Sequence, residues 1–175
     1  MLGTADLAPA IVSGGSTPTF WGSHEIAGVT ELRAGTLIFN DREQVSMGAA
    51  SWEDCAYSVL ATVVSTSVPG QAVVDAGSKA LTKEGRILGP TGTTYGALLD
   101  RPEVTVSGLS EEHGILDLSG TSWRPRVGDR VRIVPNHVCV SANLQDALWA
   151  WDGERLERWE QEARGREPWM GDTER

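Results

Sequence analysis

The chain has 175 residues, of which 40% are hydrophobic, and a formal net charge of -9. That length suits one domain, or one domain with part of another, and the apolar content is enough for a core. With 24 acidic against 15 basic residues there is no basic stripe for nucleic acid or for an anionic membrane surface. Two cysteines, Cys55 and Cys139, make no disulfide framework, so a reducing, cytoplasmic setting is the simpler expectation. The opening MLGTADLAPAIV lacks the basic start of a signal peptide. The apolar stretch from Ala56 to Val68 is too short and too rich in Ser and Thr to span a bilayer.

In chain order, Ala10-Ile11-Val12 reads as a strand that ends in Ser13-Gly14-Gly15-Ser16-Thr17-Pro18. Thr17 suits an N-cap, and Pro18 the first helical position, where no N–H is needed. A second strand is expected at Thr36–Asn40, with a helix after Asp41, and this alternation is α/β in character. Beyond a boundary near residue 50 the pattern becomes mainly β. Strands are expected at 56–68, Gln71–Asp75, Glu103–Ser107, Ile115–Leu118 and Arg130–Val134, where β-branched residues or period-2 alternation recur. Short strands parted by Gly and Pro turns indicate an antiparallel barrel or sandwich. The tail carries two signals. Leu156, Trp159 and Ala163 have helical spacing, whereas Asp152-Gly153 predicts a type I′ hairpin turn, and the hairpin is preferred. Trp149 and Trp151 would then share one strand face, packed on the sheet.

Three places could carry chemistry. Ser13-Gly14-Gly15-Ser16-Thr17 could cradle a phosphate, since glycines allow close approach and a helix start offers free N–H groups; it could equally be a turn and nothing more. His137 and Cys139 follow a predicted strand, and in extended backbone residues two apart point to one side. Imidazole and thiolate together suit Zn2+, although buried cysteine is usually inert. His113 follows Glu111 and Glu112, so it is either an acid or base with a raised pKa or part of an exposed turn. His24-Glu25 reads as solvated surface. Lys79 and Lys83, the two lysines of the chain, read as surface residues.

Taken in order, six stretches resemble one family. They are Val12-Ser13-Gly14-Gly15-Ser16-Thr17-Pro18-Thr19, Glu31-Leu32-Arg33-Ala34-Gly35-Thr36 with Phe39-Asn40-Asp41, Val74-Asp75-Ala76-Gly77-Ser78-Lys79-Ala80, Ser110-Glu111-Glu112-His113-Gly114, Pro135-Asn136-His137-Val138-Cys139, and the closing Arg164-Gly165. The set is similar to the D-serine dehydratase and D-threonine aldolase group, the alanine-racemase-like (fold type III) pyridoxal-phosphate enzymes. The resemblance implies a (β/α)8 barrel followed by a β-domain. Residues 1–50 would be the last strands and helices of the barrel, incomplete, and residues 51–175 the β-domain with a metal site.

It further implies that Ser13, Gly14, Gly15, Ser16 and Thr17 hold the cofactor phosphate, and that His137 and Cys139 hold Zn2+. The aldolase branch tends to carry aspartate where Cys139 stands, which favours the dehydratase branch. The implied substrate is a small D-hydroxy-amino acid, with pyridoxal phosphate as electron sink and zinc as Lewis acid for the departing β-hydroxyl. The family's Schiff-base lysine lies on an early barrel strand that nothing here matches, and a (β/α)8 barrel needs about 200 residues or more. The chain is therefore expected to be inactive alone and to work as a homodimer or with a partner barrel half. The alternatives are a D-threonine aldolase or racemase fragment, and a non-catalytic β-domain for dimerisation or binding.

Overall fold

A computed structural model describes residues 9–88 and 92–162. The N-terminal part is a small α/β layer. β1 (Ser13–Gly14) is joined through α1 (Phe20–Ser23) to β2 (Glu31–Leu32), and the two strands run parallel. α2 (Arg42–Ser46) follows, capped at its N-terminus by Asp41. The expected strand at Ala10–Val12 is displaced to Ser13–Gly14, with Val12 O already accepting from Thr30 N. The cap falls on Ser16, one residue before Thr17. The expected strand at Thr36–Asn40 is a 3-10 turn over Thr36–Ile38. Its β-branched residues favour a strand, but Phe39 N and Asn40 N turn back to Thr36 O, and Asn40 has a φ of +52° that an extended chain cannot continue through.

The centre of the molecule is a closed six-stranded antiparallel barrel. Its strands are β3 (Val59–Ser65), β4 (Gln71–Val74), β7 (Gly96–Leu98), β8 (Arg101–Leu109), β9 (Gly114–Asp117) and β10 (Arg130–Pro135), in the cyclic order β10-β3-β4-β9-β8-β7. Between β4 and β7 lie α3 (Ser78–Leu81) and the short pair β5 (Arg86–Ile87) and β6 (Thr93–Thr94). Period-2 patterning fills the interior. Ala61 and Val63, Ala72 and Val74, Val104 and Val106, Leu116 and Leu118, and Val131 and Ile133 are each two apart on one strand or its end, and all are buried in one cluster. Register shifts lie within three of the pairings, β3–β4, β7–β8 and β8–β9. Such irregularities bend strands and help so small a sheet close on itself.

After β10 the chain forms α4 (Val138–Asn143) and then a separate hairpin of β11 (Ala147–Trp151) and β12 (Leu156–Glu160). The hairpin forms, and the competing helix does not. Its connection is longer than the two residues expected. Trp151 pairs with Leu156, leaving four loop residues in which Gly153 takes a φ of +103°. Trp149 and Trp151 do share a face, but they are 62% and 64% exposed and not packed on the sheet. Arg164-Gly165 lies outside the described residues. Both cysteines are free, Cys55 buried and Cys139 exposed. No helix of the described residues is long and apolar enough to cross a membrane.

Candidate cofactor and metal site

The glycine turn leaves β1 and enters the 3-10 turn over Thr17–Thr19. Gly15 has a φ of +82°, a conformation that favours glycine. A side chain at Gly14 would meet no protein atom within 4 Å, so open space lies over that peptide. Ser16 N donates to Thr19 Oγ1 at 3.1 Å, and Ser13 Oγ donates to the Glu31 carboxylate. Thr17 is buried, and its Oγ1 accepts from Leu37 N at 3.1 Å.

His137 and Cys139 do not sit on extended backbone together. His137 is extended, with φ -134° and ψ 107°, but it is the N-cap of α4, and Cys139 lies in the first turn of that helix. The expected alternation fails because helix, not strand, follows His137, with Val138 and Ser141 forming its buried face at helical spacing. Tyr57 Oη lies 3.0 Å from Ser141 Oγ, which in turn donates to Ala80 O at 2.6 Å and seats α4 on α3.

His137 Nδ1 lies 2.8 Å from Glu84 Oε2. A carboxylate on one ring nitrogen fixes the ring and leaves Nε2 available, the arrangement common behind metal-binding histidines. Cys139 Sγ lies 3.5 Å from Thr36 Oγ1. Thr36 and Leu37 are adjacent, so one short segment touches both Cys139 and Thr17. The glycine turn and the histidine–cysteine pair, far apart in sequence, thus meet on the 36–37 turn. Among the described residues no group of three or more His, Cys, Asp or Glu side chains forms a complete metal cage. A metal held by His137 and Cys139 alone would keep coordination positions open for water or substrate.

Behind the pair lies a buried polar network that the sequence reading largely missed. Asp41 accepts from Gln44 N and from Val138 N, each at 2.9 Å. Burial pushes its carboxyl above the usual 3.8, against those two bonds. Arg42 is buried too, and its Nη1 donates to Asn136 Oδ1 at 2.7 Å and Thr94 Oγ1 at 2.8 Å. Burial pushes that guanidinium down to about 10. Asn136 Nδ2 donates to Thr94 O and Glu84 O at 2.6 and 2.9 Å. Asp41 and Asn136 stood in the quoted motifs without a role, and nothing local marked Arg42 or Glu84.

The remaining candidates lie elsewhere. His113 is exposed in the β8–β9 turn and is held through its main chain, N to Ser110 Oγ and O to Ser110 N. His24 is exposed at the end of α1. Lys79 is exposed and paired with Glu112, which raises its pKa through a hydrogen bond and charge. That stabilises the protonated amine, the opposite of what imine formation needs.

Residues 56–150 match the family described as "Putative serine dehydratase domain". The chain belongs to this family. Across 90% of its length the family member is 36% identical to D-threo-3-hydroxyaspartate dehydratase of Delftia sp. strain HT23. It superposes on the solved structure of that protein with a TM-score of 0.82, covering 94% of this chain and 47% of that one. Two further similar structures of a D-threo-3-hydroxyaspartate dehydratase are a histidine-to-alanine variant and, two positions on, a cysteine-to-alanine variant in the metal-free form. D-threonine aldolase of Arthrobacter sp. is 34% identical over 94% of this chain and 42% of its own length. The chain thus spans about half the length of both relatives. An uncharacterized protein of Mycobacterium bovis is 35% identical over 134 residues, 74% of this chain and 98% of that protein.

Proposed function

We propose that this chain is the metal-carrying portion of a pyridoxal-phosphate- and zinc-dependent lyase that dehydrates small D-hydroxy-amino acids, and that it needs a partner barrel to turn over. The convergence of the glycine turn and the His137–Cys139 pair on Thr36–Leu37 carries this reading. Both groups fit what is present. Open space over Gly14 suits a phosphate, and His137, tied at Nδ1 to Glu84, keeps its other nitrogen for a metal, two residues from the exposed Cys139. The histidine and cysteine altered in the two D-threo-3-hydroxyaspartate dehydratase variants have the same two-residue spacing as His137 and Cys139. When bound, pyridoxal phosphate supplies an electron sink for the α-carbon, and zinc supplies a Lewis acid for the β-oxygen. This chain's residues do the holding. Ser13–Thr17 seat the phosphate, His137 and Cys139 seat zinc, and Glu84 fixes the imidazole. Cys139, in place of an aspartate, favours dehydration over aldol cleavage.

Equilibrium dialysis tests the metal part. Cys139→Ser should lose zinc under conditions where the parent and Cys55→Ser retain it, since Cys55 is buried and burial raises its thiol to about 11. Equal retention in both variants would remove the metal site.

A second reading is a β-domain that binds or dimerises without a barrel. The Mycobacterium bovis relative favours it, because nearly all of that protein aligns with this chain. That reading expects no absorbance change when pyridoxal phosphate is added, with or without a separately supplied barrel half.

A further inference from the structure

Three consecutive residues hold the two neighbours of His137, Asn136 and Val138. Asp41 Oδ2 accepts from Val138 N at 2.9 Å, Arg42 Nη1 donates to the Asn136 side chain at 2.7 Å, and Glu43 N donates to Asn136 O at 3.2 Å. α4 gets no cap from its own N-cap residue, because the His137 side chain makes no such bond and its Nδ1 faces Glu84. The first N–H of that helix is satisfied instead by a fully buried carboxylate 97 residues away. The same carboxylate caps α2 through Gln44 N. Glu43 also reaches the histidine from the other side. Its carboxylate pairs with Arg86 at 3.1 Å, Arg86 pairs with Glu84 at 3.5 Å, and Glu84 holds Nδ1.

We propose that Asp41, Arg42 and Glu43 form a clamp that positions His137 and Cys139 for metal, with Asp41 as its central positioning residue. The proposal rests on the zinc reading of that pair. The peptide between the two donors, at Val138, is the one Asp41 holds, so its orientation sets the directions in which imidazole and thiol leave the backbone. A donor pair with only two protein ligands has no third side chain to correct a misplaced one, so its affinity depends on this support.

Zinc affinity is measured on the whole chain by competition with a chromophoric chelator, for the parent, Asp41→Asn, Val138→Pro, His137→Ala and Leu116→Ala. Asparagine still caps α2 but cannot offer acceptors to both N–H groups. Proline removes the Val138 N–H at a first helical position, where it is tolerated, and His137 already has the extended backbone that precedes proline. Both should bind zinc about 10–100-fold more weakly than the parent. Leu116→Ala loses barrel packing on β9, which pairs with β4 and β8 and not with β10, and should melt lower yet bind zinc within about twofold of the parent. With saturating cobalt(II), the sulfur-to-metal charge-transfer band should shift or weaken in Asp41→Asn and stay unchanged in Leu116→Ala. Parent-like affinity in either folded clamp variant, alongside loss in His137→Ala, overturns the clamp alone. A parent that takes up no zinc, or His137→Ala that binds as the parent does, overturns the zinc reading and the clamp with it.

Discussion

Asp152 closes the β11–β12 loop through its side chain, which accepts from Arg155 N and Glu154 N at 2.8 Å each. Those bonds hold its carboxyl below the ordinary 3.8. A carboxylate with a lowered folded-state pKa contributes stability that is present above its unfolded value and is lost as pH falls through the folded one. The loop should therefore stay closed at neutral pH and open in acid. In an NMR titration the Glu154 and Arg155 amide protons should shift together, with a midpoint below 3.8. A midpoint at or above that value would contradict the assignment of these bonds, and Asp152→Ala should abolish the titration. Residue chemistry also explains how the local signal at 152–153 pointed to a hairpin but not to its loop. Asp and Gly mark a turn, yet the Asp side chain bonds two and three residues ahead, which requires four loop residues instead of two.

At the scale of elements, the turn Ser110–His113 shows a structural use for a motif that could have been catalytic. Ser78 N and Lys79 N donate to Ser110 O and Glu111 O at 2.9 and 3.2 Å, docking α3 against the β8–β9 turn. Gly77 sits so close that a β-carbon there would lie 2.3 Å from Glu111 O. Its φ is -106°, so space and not backbone conformation demands glycine. Gly77→Ala should cost about 1–3 kcal/mol through overpacking, read as a lower midpoint in thermal or urea unfolding. An unchanged midpoint would show that the turn yields freely. Five of the six barrel strands were legible because their composition or alternation is a local property of each segment, whereas β7, three residues long, is too short to show a period. The other elements that failed depend on distant partners. Val138 and Val140 have the composition of a strand, and α4 starts where Asp41 supplies a cap from across the chain. Thr36–Ile38 looks like a strand but pairs with none among the described residues, and its role, touching Thr17 and Cys139, exists only in three dimensions. The histidine–cysteine pair was visible as spacing, whereas the clamp behind it was not.

For the whole molecule, the two lysines decide what the chain can do unaided. Lys79 and Lys83 are both exposed, and Lys79 is held charged by Glu112. The purified chain with added pyridoxal phosphate and zinc should therefore release no pyruvate or ammonia from D-serine. Steady product formation would identify one of these lysines as an unexpected imine former, and borohydride trapping would show which. Every strand of the barrel has two neighbours, and the ring is completed by β10, which pairs with β3 on one side and β7 on the other. Its partners on β3 lie far back in sequence, Arg130 against Thr62. Such long-range closure is slow, because loop entropy is lost before contacts repay it. As the chain emerges during synthesis, the ring cannot close until residue 135 is available. Pro135 is followed at once by Asn136 and His137, so the final strand delivers the histidine and the segment its clamp must hold. A nascent chain stalled before this point would lack both the strand that closes the ring and the His137–Cys139 segment that follows it, so the two arrive together.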